Sequence, residues 1–204
     1  MPNEPVMAWI RARVDADAPM RKAAEQRTGE PAGPGDDASP DVLMVLTRDH
    51  NQVHTLVQQL SALPGHKAGG SPEDLFRRKW LVDMITGRVS RHEAAEEEHF
   101  WPAVRKALPD GDAWADGAVA QEQEGKQTLT ALAGLGPDSD EFDSLVEQLV
   151  AQLRKHVAYE AQVFGRMREA MTEEDREKLG RRLLAAKEKS TAHSRERASR
   201  KDPA

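Results

Sequence analysis

The sequence contains no cysteine, which excludes disulfides, thiolate zinc sites, iron–sulfur clusters and cysteine nucleophiles. A metal bound by this chain must be held by imidazole and carboxylate, a ligand set suited to iron, zinc, manganese or copper. Long apolar runs are missing too. No stretch approaches the roughly 20 residues that span a bilayer, and the N-terminus lacks the basic and apolar blocks of a signal peptide, so the expectation is a soluble, cytoplasmic protein with no membrane partner. There is no basic excess: the net charge of −6 and pI near 5.7 argue against nucleic acid as a partner. Aromatic residues make up only 4 %, strand formers are sparse, and Ala, Leu, Glu, Gln, Lys and Arg dominate, which predicts an all-α protein. No nucleophilic triad, phosphate loop or dinucleotide motif is visible.

The 204 residues divide into a bundle with two extensions. Residues 1–40 are an N-terminal extension in which a weak helix through Val6, Ile10 and Val14 is interrupted by Pro19 and followed by a Gly/Pro-rich linker. Residues 41–170 carry four apolar stripes at helical spacing. The first helix, from about Asp41 to Leu63, shows Leu43, Leu46, His50, Val53 with His54, Val57 and Leu60. The second opens at Ser71-Pro72 and shows Leu81, Ile85, Val89, His92, Glu96 and Phe100, with Pro102 expected to bend or end it. The third, after a possible cap at Asp112, shows Ala115, Val119, Glu122, Leu129 and Leu132. The fourth shows Phe142, Val146, Leu149, Leu153, His156, Glu160 and Met167. Short turns between four such helices predict an up-down-up-down bundle. Residues 171–204 are expected to add a helix to about Lys189 and then a basic, disordered tail, so both ends of the chain are flexible extensions that offer contacts to a protein partner.

Two copies of His-x-x-x-Glu, His92/Glu96 and His156/Glu160, interrupt apolar stripes. Residues four apart lie on one helix face, so each pair points at the core. A buried carboxylate costs several kcal/mol unless positive charge meets it, and the expected core contains almost no lysine or arginine. Metal ions would supply that charge. Collecting the inward polar positions gives His50, His54, His92, Glu96, Glu122, His156 and Glu160 as candidate ligands from all four helices, arranged to hold two metals bridged by carboxylates. Taken one at a time, each has a blander reading: a single core histidine is usually hydrogen-bonded, His54 sits beside the stripe, and Glu122 can pair with Lys126. Glu93, Glu97 and Glu98 read as a solvated acidic face, Tyr159 as packing, and the four tryptophans as fillers of helix contacts.

From about Asp41 to Ala170 the chain resembles the hemerythrin-like, or HHE cation-binding, family. The resemblance rests on Arg48-Asp-His50, on His92-Glu93 with Glu96-Glu97-Glu98 and Trp101-Pro102, and on His156 to Glu160 with Phe164. It implies a hemerythrin-like four-helix bundle and two non-haem iron ions, oxo- or hydroxo-bridged, with His50, His92, Glu96, His156 and Glu160 corresponding to the family's iron ligands. The chain departs from the family pattern at Glu122, where a histidine is common, at Gly165 after Phe164, and at His54, an additional candidate ligand. A third carboxylate in place of a neutral imidazole favours a ferric pair. The expected function is therefore handling of oxygen species, through peroxide breakdown (catalase-like) or ferrous iron oxidation. Two alternatives stand beside it: a sensor or carrier of O2, NO or iron without turnover, and a metal-free scaffold whose histidines titrate near neutrality.

Overall fold

The computed structural model describes residues 40–200, with side chains placed as far as residue 189. The expected N-terminal helix and its linker as far as Ser39 lie outside the described residues, as do residues 201–204. The helices are α1 (Val42–Ala62), α2 (Pro72–Ala95), a π-helical turn (Glu96–Phe100), α3 (Trp101–Ala107), α4 (Gly111–Gly134), α5 (Asp140–Ala170) and α6 (Glu173–Arg200), and no strand occurs among the described residues.

Helix starts follow local chemistry. Asp41 accepts the Leu43 N–H at the head of α1, Ser71 and Asp74 exchange bonds as a capping box before Pro72 at the head of α2, and Ser139 accepts the Phe142 N–H at the head of α5. The expected cap at Asp112 is displaced: α4 begins at Gly111, and Asp112 lies in its first turn. Pro102 neither ends nor simply bends its helix. It has no N–H to return to the preceding turn, and the Trp101 N–H bonds instead to the Glu96 carbonyl, which closes the π turn before the helix resumes to Ala107. The extra residue lets Phe100 and Trp101 both turn inward, each almost fully buried.

In the bundle α1 packs against α2 and α4 against α5, with contacts across α2–α4 and α1–α5. The buried apolar side chains form two clusters. One gathers Leu43, Leu46, Phe100, Trp101, Val104, Ala115, Ala118, Val163 and Met167. The other gathers Val57, Leu60, Leu81, Ile85, Leu129, Leu132, Phe142 and Leu149. Each of α1, α2, α4 and α5 passes from one cluster to the other through the polar positions named from the sequence: His50 on α1, His92 on α2 with Glu96 in the π turn that follows, Glu122 on α4, and His156 and Glu160 on α5. The bundle thus has a polar layer between two apolar ones. The second cluster is closed off by Arg78, which donates to the Leu60 and Leu63 carbonyls at 3.2 and 2.9 Å and to Asp143 at 3.0 Å, tying the end of α1 to α5. The Asp143 carboxylate lies against Gly65, where any side chain would collide with it.

The last helix differs from expectation. It continues to Arg200 rather than stopping near Lys189, and its first half packs against α1 and α2. The sequence from 190 to 200 has no apolar stripe, but its alanines, arginines and glutamate favour helix by intrinsic propensity.

Candidate metal centre

Two groups of ligand atoms come together in the polar layer. In the first, Nε2 of His50 lies 2.8 Å from Oε2 of Glu160 and 3.2 Å from Nε2 of His92. In the second, Glu96, His156 and Glu160 each offer an atom to a common point, with Nε2 of His156 3.5 Å from Oε1 of Glu160. Within each group the ligand atoms lie within 4.8 Å of one another. Glu160 belongs to both, and Nε2 of His92 is 3.1 Å from Oε2 of Glu96, which links the groups a second time. Helical spacing explains the geometry: each His-x-x-x-Glu pair projects from one face of α2 or α5, and the faces meet with that of α1.

The site is dry. Glu96 and Glu160 are fully buried, and His92 and His156 are nearly so. Both oxygens of Glu96, both oxygens of Glu160 and both ring nitrogens of His156 lack a hydrogen bond. Unsatisfied buried groups of this kind cost several kcal/mol each when charged, so atoms that approach this closely without bonding to one another are matched to cations placed among them. The residues present therefore fit a metal centre of nitrogen and oxygen donors.

Without a cation, protons must do part of this work. Burial, and then the neighbouring Glu160, hold Glu96 well above the ordinary carboxylate range. Glu160 goes the other way, to about 2: burial works against it, but the approach of His50 and the charges of His156, His50 and His92 prevail. Burial lowers His156, opposed by Glu160 and aided by His92 and His50, and it is the unprotonated ring that ligates metal.

Of the seven candidate ligands, His50, His92, Glu96, His156 and Glu160 fall in these groups. His54, one turn beyond His50, is exposed and joins neither group. Glu122 is buried and faces the same layer, but it is occupied otherwise. Its Oε1 accepts the indole N–H of Trp101 at 2.8 Å, and Lys126 approaches Oε2 at 4.0 Å. Burial raises Glu122 to about 7 against the pull of Trp101 and Lys126.

Glu93 corrects an expectation of the sequence. It is only 4 % exposed rather than part of a solvated face, although Glu97 and Glu98 are exposed. It sits where α2 meets α4, 3.7 Å from Lys126, and burial followed by the charge of Glu122 raises it to about 8. Lys126 also bonds Glu97 at 2.5 Å, so one ammonium serves three carboxylates on this side of the layer.

Several contributors were not legible. Asp49 lies 3.1 Å from Nδ1 of His92. Its position beside His50 in the Arg-Asp-His triplet is the only signal that could have marked it. Lys187 of α6 reaches Asp49 with Nζ 2.5 Å from both carboxylate oxygens, and nothing in its sequence surroundings announces this. Burial raises Asp49, but the bond with His92 and the charge of Lys187 more than reverse that, so the carboxyl is held below its usual value and stays ionised. Trp101 was expected merely to fill space and instead supplies the hydrogen bond to Glu122. Tyr159 does pack: its hydroxyl donates to the Trp114 carbonyl at 3.0 Å and its ring lies against Trp114.

No helix among the described residues is long and apolar enough to cross a membrane. No curated protein and no solved structure gives a significant match to the chain. The family model of the hemerythrin HHE cation binding domain matches residues 41–168. That span covers α1 to near the end of α5 and includes every residue of the two ligand groups. With more than half of its length matched, and with imidazoles and carboxylates gathered in the layer where cations would be held, the chain belongs to the hemerythrin HHE cation-binding family.

Proposed function

We propose that the polar layer would hold two iron ions and that the protein turns over hydrogen peroxide, two molecules giving one dioxygen and two water, or oxidises ferrous iron with peroxide or dioxygen as the electron acceptor. The observation that carries this reading is the sharing of Glu160: one of its oxygens faces His50 and the other His156, so two ligand groups meet at one carboxylate. A carboxylate placed in this way would be shared between two neighbouring ions if both groups were filled.

Iron bound here would supply the ferrous–ferric exchange, and the chain supplies the rest. Asp49 accepts a hydrogen bond from Nδ1–H of His92, which leaves the lone pair of Nε2 free to ligate metal. Glu96 and Glu160 face the centre with two carboxylates in a dry interior, which favours the higher cation charge. This supports redox turnover over reversible carriage. With His54 at the surface and Glu122 engaged by Trp101, five side chains serve about twelve positions of two six-coordinate ions. Coordination positions would then be left open to a small ligand such as O2, H2O2 or NO.

The test is to load the purified protein with ferrous iron under nitrogen, add peroxide, and follow dioxygen release and the absorption spectrum. Release proportional to bound iron and abolished in Glu160→Gln is the expected result. A reversible spectral change with O2 or NO and no turnover would assign the centre to sensing or carriage instead.

A further inference from the structure

Helix α6 lies beyond the residues matched by the family model, yet one of its faces is fitted to the bundle. Arg176, Gly180, Leu183 and Lys187 follow one another at intervals of four, three and four, which places them on a single stripe. Arg176 donates through Nε to Asp41 at 2.7 Å, and Asp41 is the residue that caps α1. Gly180 meets the Pro40 carbonyl so closely that a Cβ would overlap its oxygen. Leu183 is fully buried and Leu179 nearly so. At the end of the stripe Lys187 grips both oxygens of Asp49, and Asp49 in turn faces Nδ1 of His92.

The Lys187–Asp49–His92 series therefore runs from a helix outside the matched domain to a ring whose other nitrogen, Nε2, points at His50 and Glu96. A carboxylate held on one side by an ammonium has a fixed position and a fixed charge. It then fixes the ring it accepts from, both in orientation and in which nitrogen keeps the proton.

We propose that Lys187 is a positioning residue of the metal centre: by fixing Asp49 it sets the tautomer and orientation of His92, so that docking of α6 and cation binding strengthen each other. The metal half of this rests on His92 being a cation ligand, as in the function proposed above. Reciprocity follows from linkage, since whatever α6 adds to cation affinity the cation must return to the docking of α6.

The experiment uses the full chain with Lys187→Met, Lys187→Arg and Asp49→Asn. In the metal-free proteins, nitrogen-15 spectra of the His92 ring report its tautomer. Competition titrations with zinc report affinity, and hydrogen exchange reports the protection of α6 with and without zinc. The wild type should carry its ring proton on Nδ1. Lys187→Met should mix the tautomers and lower zinc affinity by about three- to tenfold, less than the about 10- to 100-fold typical of a partner that touches the ligand directly, which is the range expected for Asp49→Asn. Lys187→Arg should restore both readouts, and zinc should protect α6 in the wild type more than in Lys187→Met. A Lys187→Met protein with the wild-type tautomer and wild-type affinity overturns the proposal. If Lys187→Met does not fold, Asp49→Asn decides the matter, because it leaves the Arg176 and Gly180 contacts of α6 in place: an unchanged ring tautomer or unchanged protection of α6 would overturn the proposal. Failure of the wild type to bind zinc would instead overturn the metal-centre reading, while the ring spectrum still reports on Lys187.

Discussion

The two flanks of the polar layer bury comparable carboxylates and treat them differently. On the α4 flank, Glu122 receives the Trp101 indole and, like Glu93, has Lys126 nearby. On the other flank, Glu96 and Glu160 have three imidazoles around them, no hydrogen bond at any oxygen, and no lysine or arginine in ion-pair contact. The first flank carries an ammonium within the chain, although Oε2 of Glu93 and Oε2 of Glu122 still lack a hydrogen bond, whereas the second is built to be completed by cations. What separates a structural acidic cluster from a metal centre here is thus the presence of an internal cation, since burial and residue type alone are shared by both.

Breaking the second flank should have the largest effect. Glu160→Gln removes the carboxylate common to both ligand groups and should lower metal affinity by more than about 100-fold, beyond the range seen when an outer partner is lost; metal analysis after dialysis checks this. In contrast, Leu149→Ala in the second apolar cluster should cost about 2–5 kcal/mol of stability in denaturant unfolding while leaving the metal content per folded chain unchanged.

The first flank predicts a smaller and different response. Trp101→Phe removes the donor to Glu122 without emptying the core and should cost about 1–3 kcal/mol, with metal stoichiometry retained. Glu122 and Glu93 have folded-state values of about 7 and about 8, above the ordinary 4.5 of the unfolded chain. For a raised carboxyl, stability is complete below the unfolded value and is lost as pH rises through the folded one. Metal-free protein should therefore unfold progressively more easily between pH 5 and 9. Glu122→Gln should flatten the lower part of that slope near pH 7, and thermal melts across the range check it. The smallest effect belongs to His54→Ala: the residue is exposed and outside both groups, so affinity should stay within about twofold of wild type.

The division between what the sequence disclosed and what it did not follows the range of the interactions. Helical periodicity located α1, α2, α4 and α5, because each stripe is a local pattern. The two His-x-x-x-Glu pairs and His50 were recognisable because a polar residue on an apolar stripe is a local anomaly. The neighbours of Glu122 and His54 were not recognisable. Whether Glu122 meets a metal or an indole depends on the π turn that swings Trp101 inward, and the exposure of His54 is a matter of a few tens of degrees around α1. The burial of Glu93 depends on how α2 meets α4. Lys187 and Asp49 are 138 residues apart, and no local pattern foretells that approach. The helix from 190 to 200 was missed because apolar spacing was the criterion and the segment has no apolar stripe.

The most direct measurement is the number of ions bound per chain, determined by titrating metal-free wild type and Glu160→Gln with ferrous iron under nitrogen. Two equivalents in the wild type, both weakened together by the substitution, are expected from ligand groups that share one carboxylate. No stoichiometric binding in the wild type, or a single equivalent indifferent to Glu160, would contradict the account.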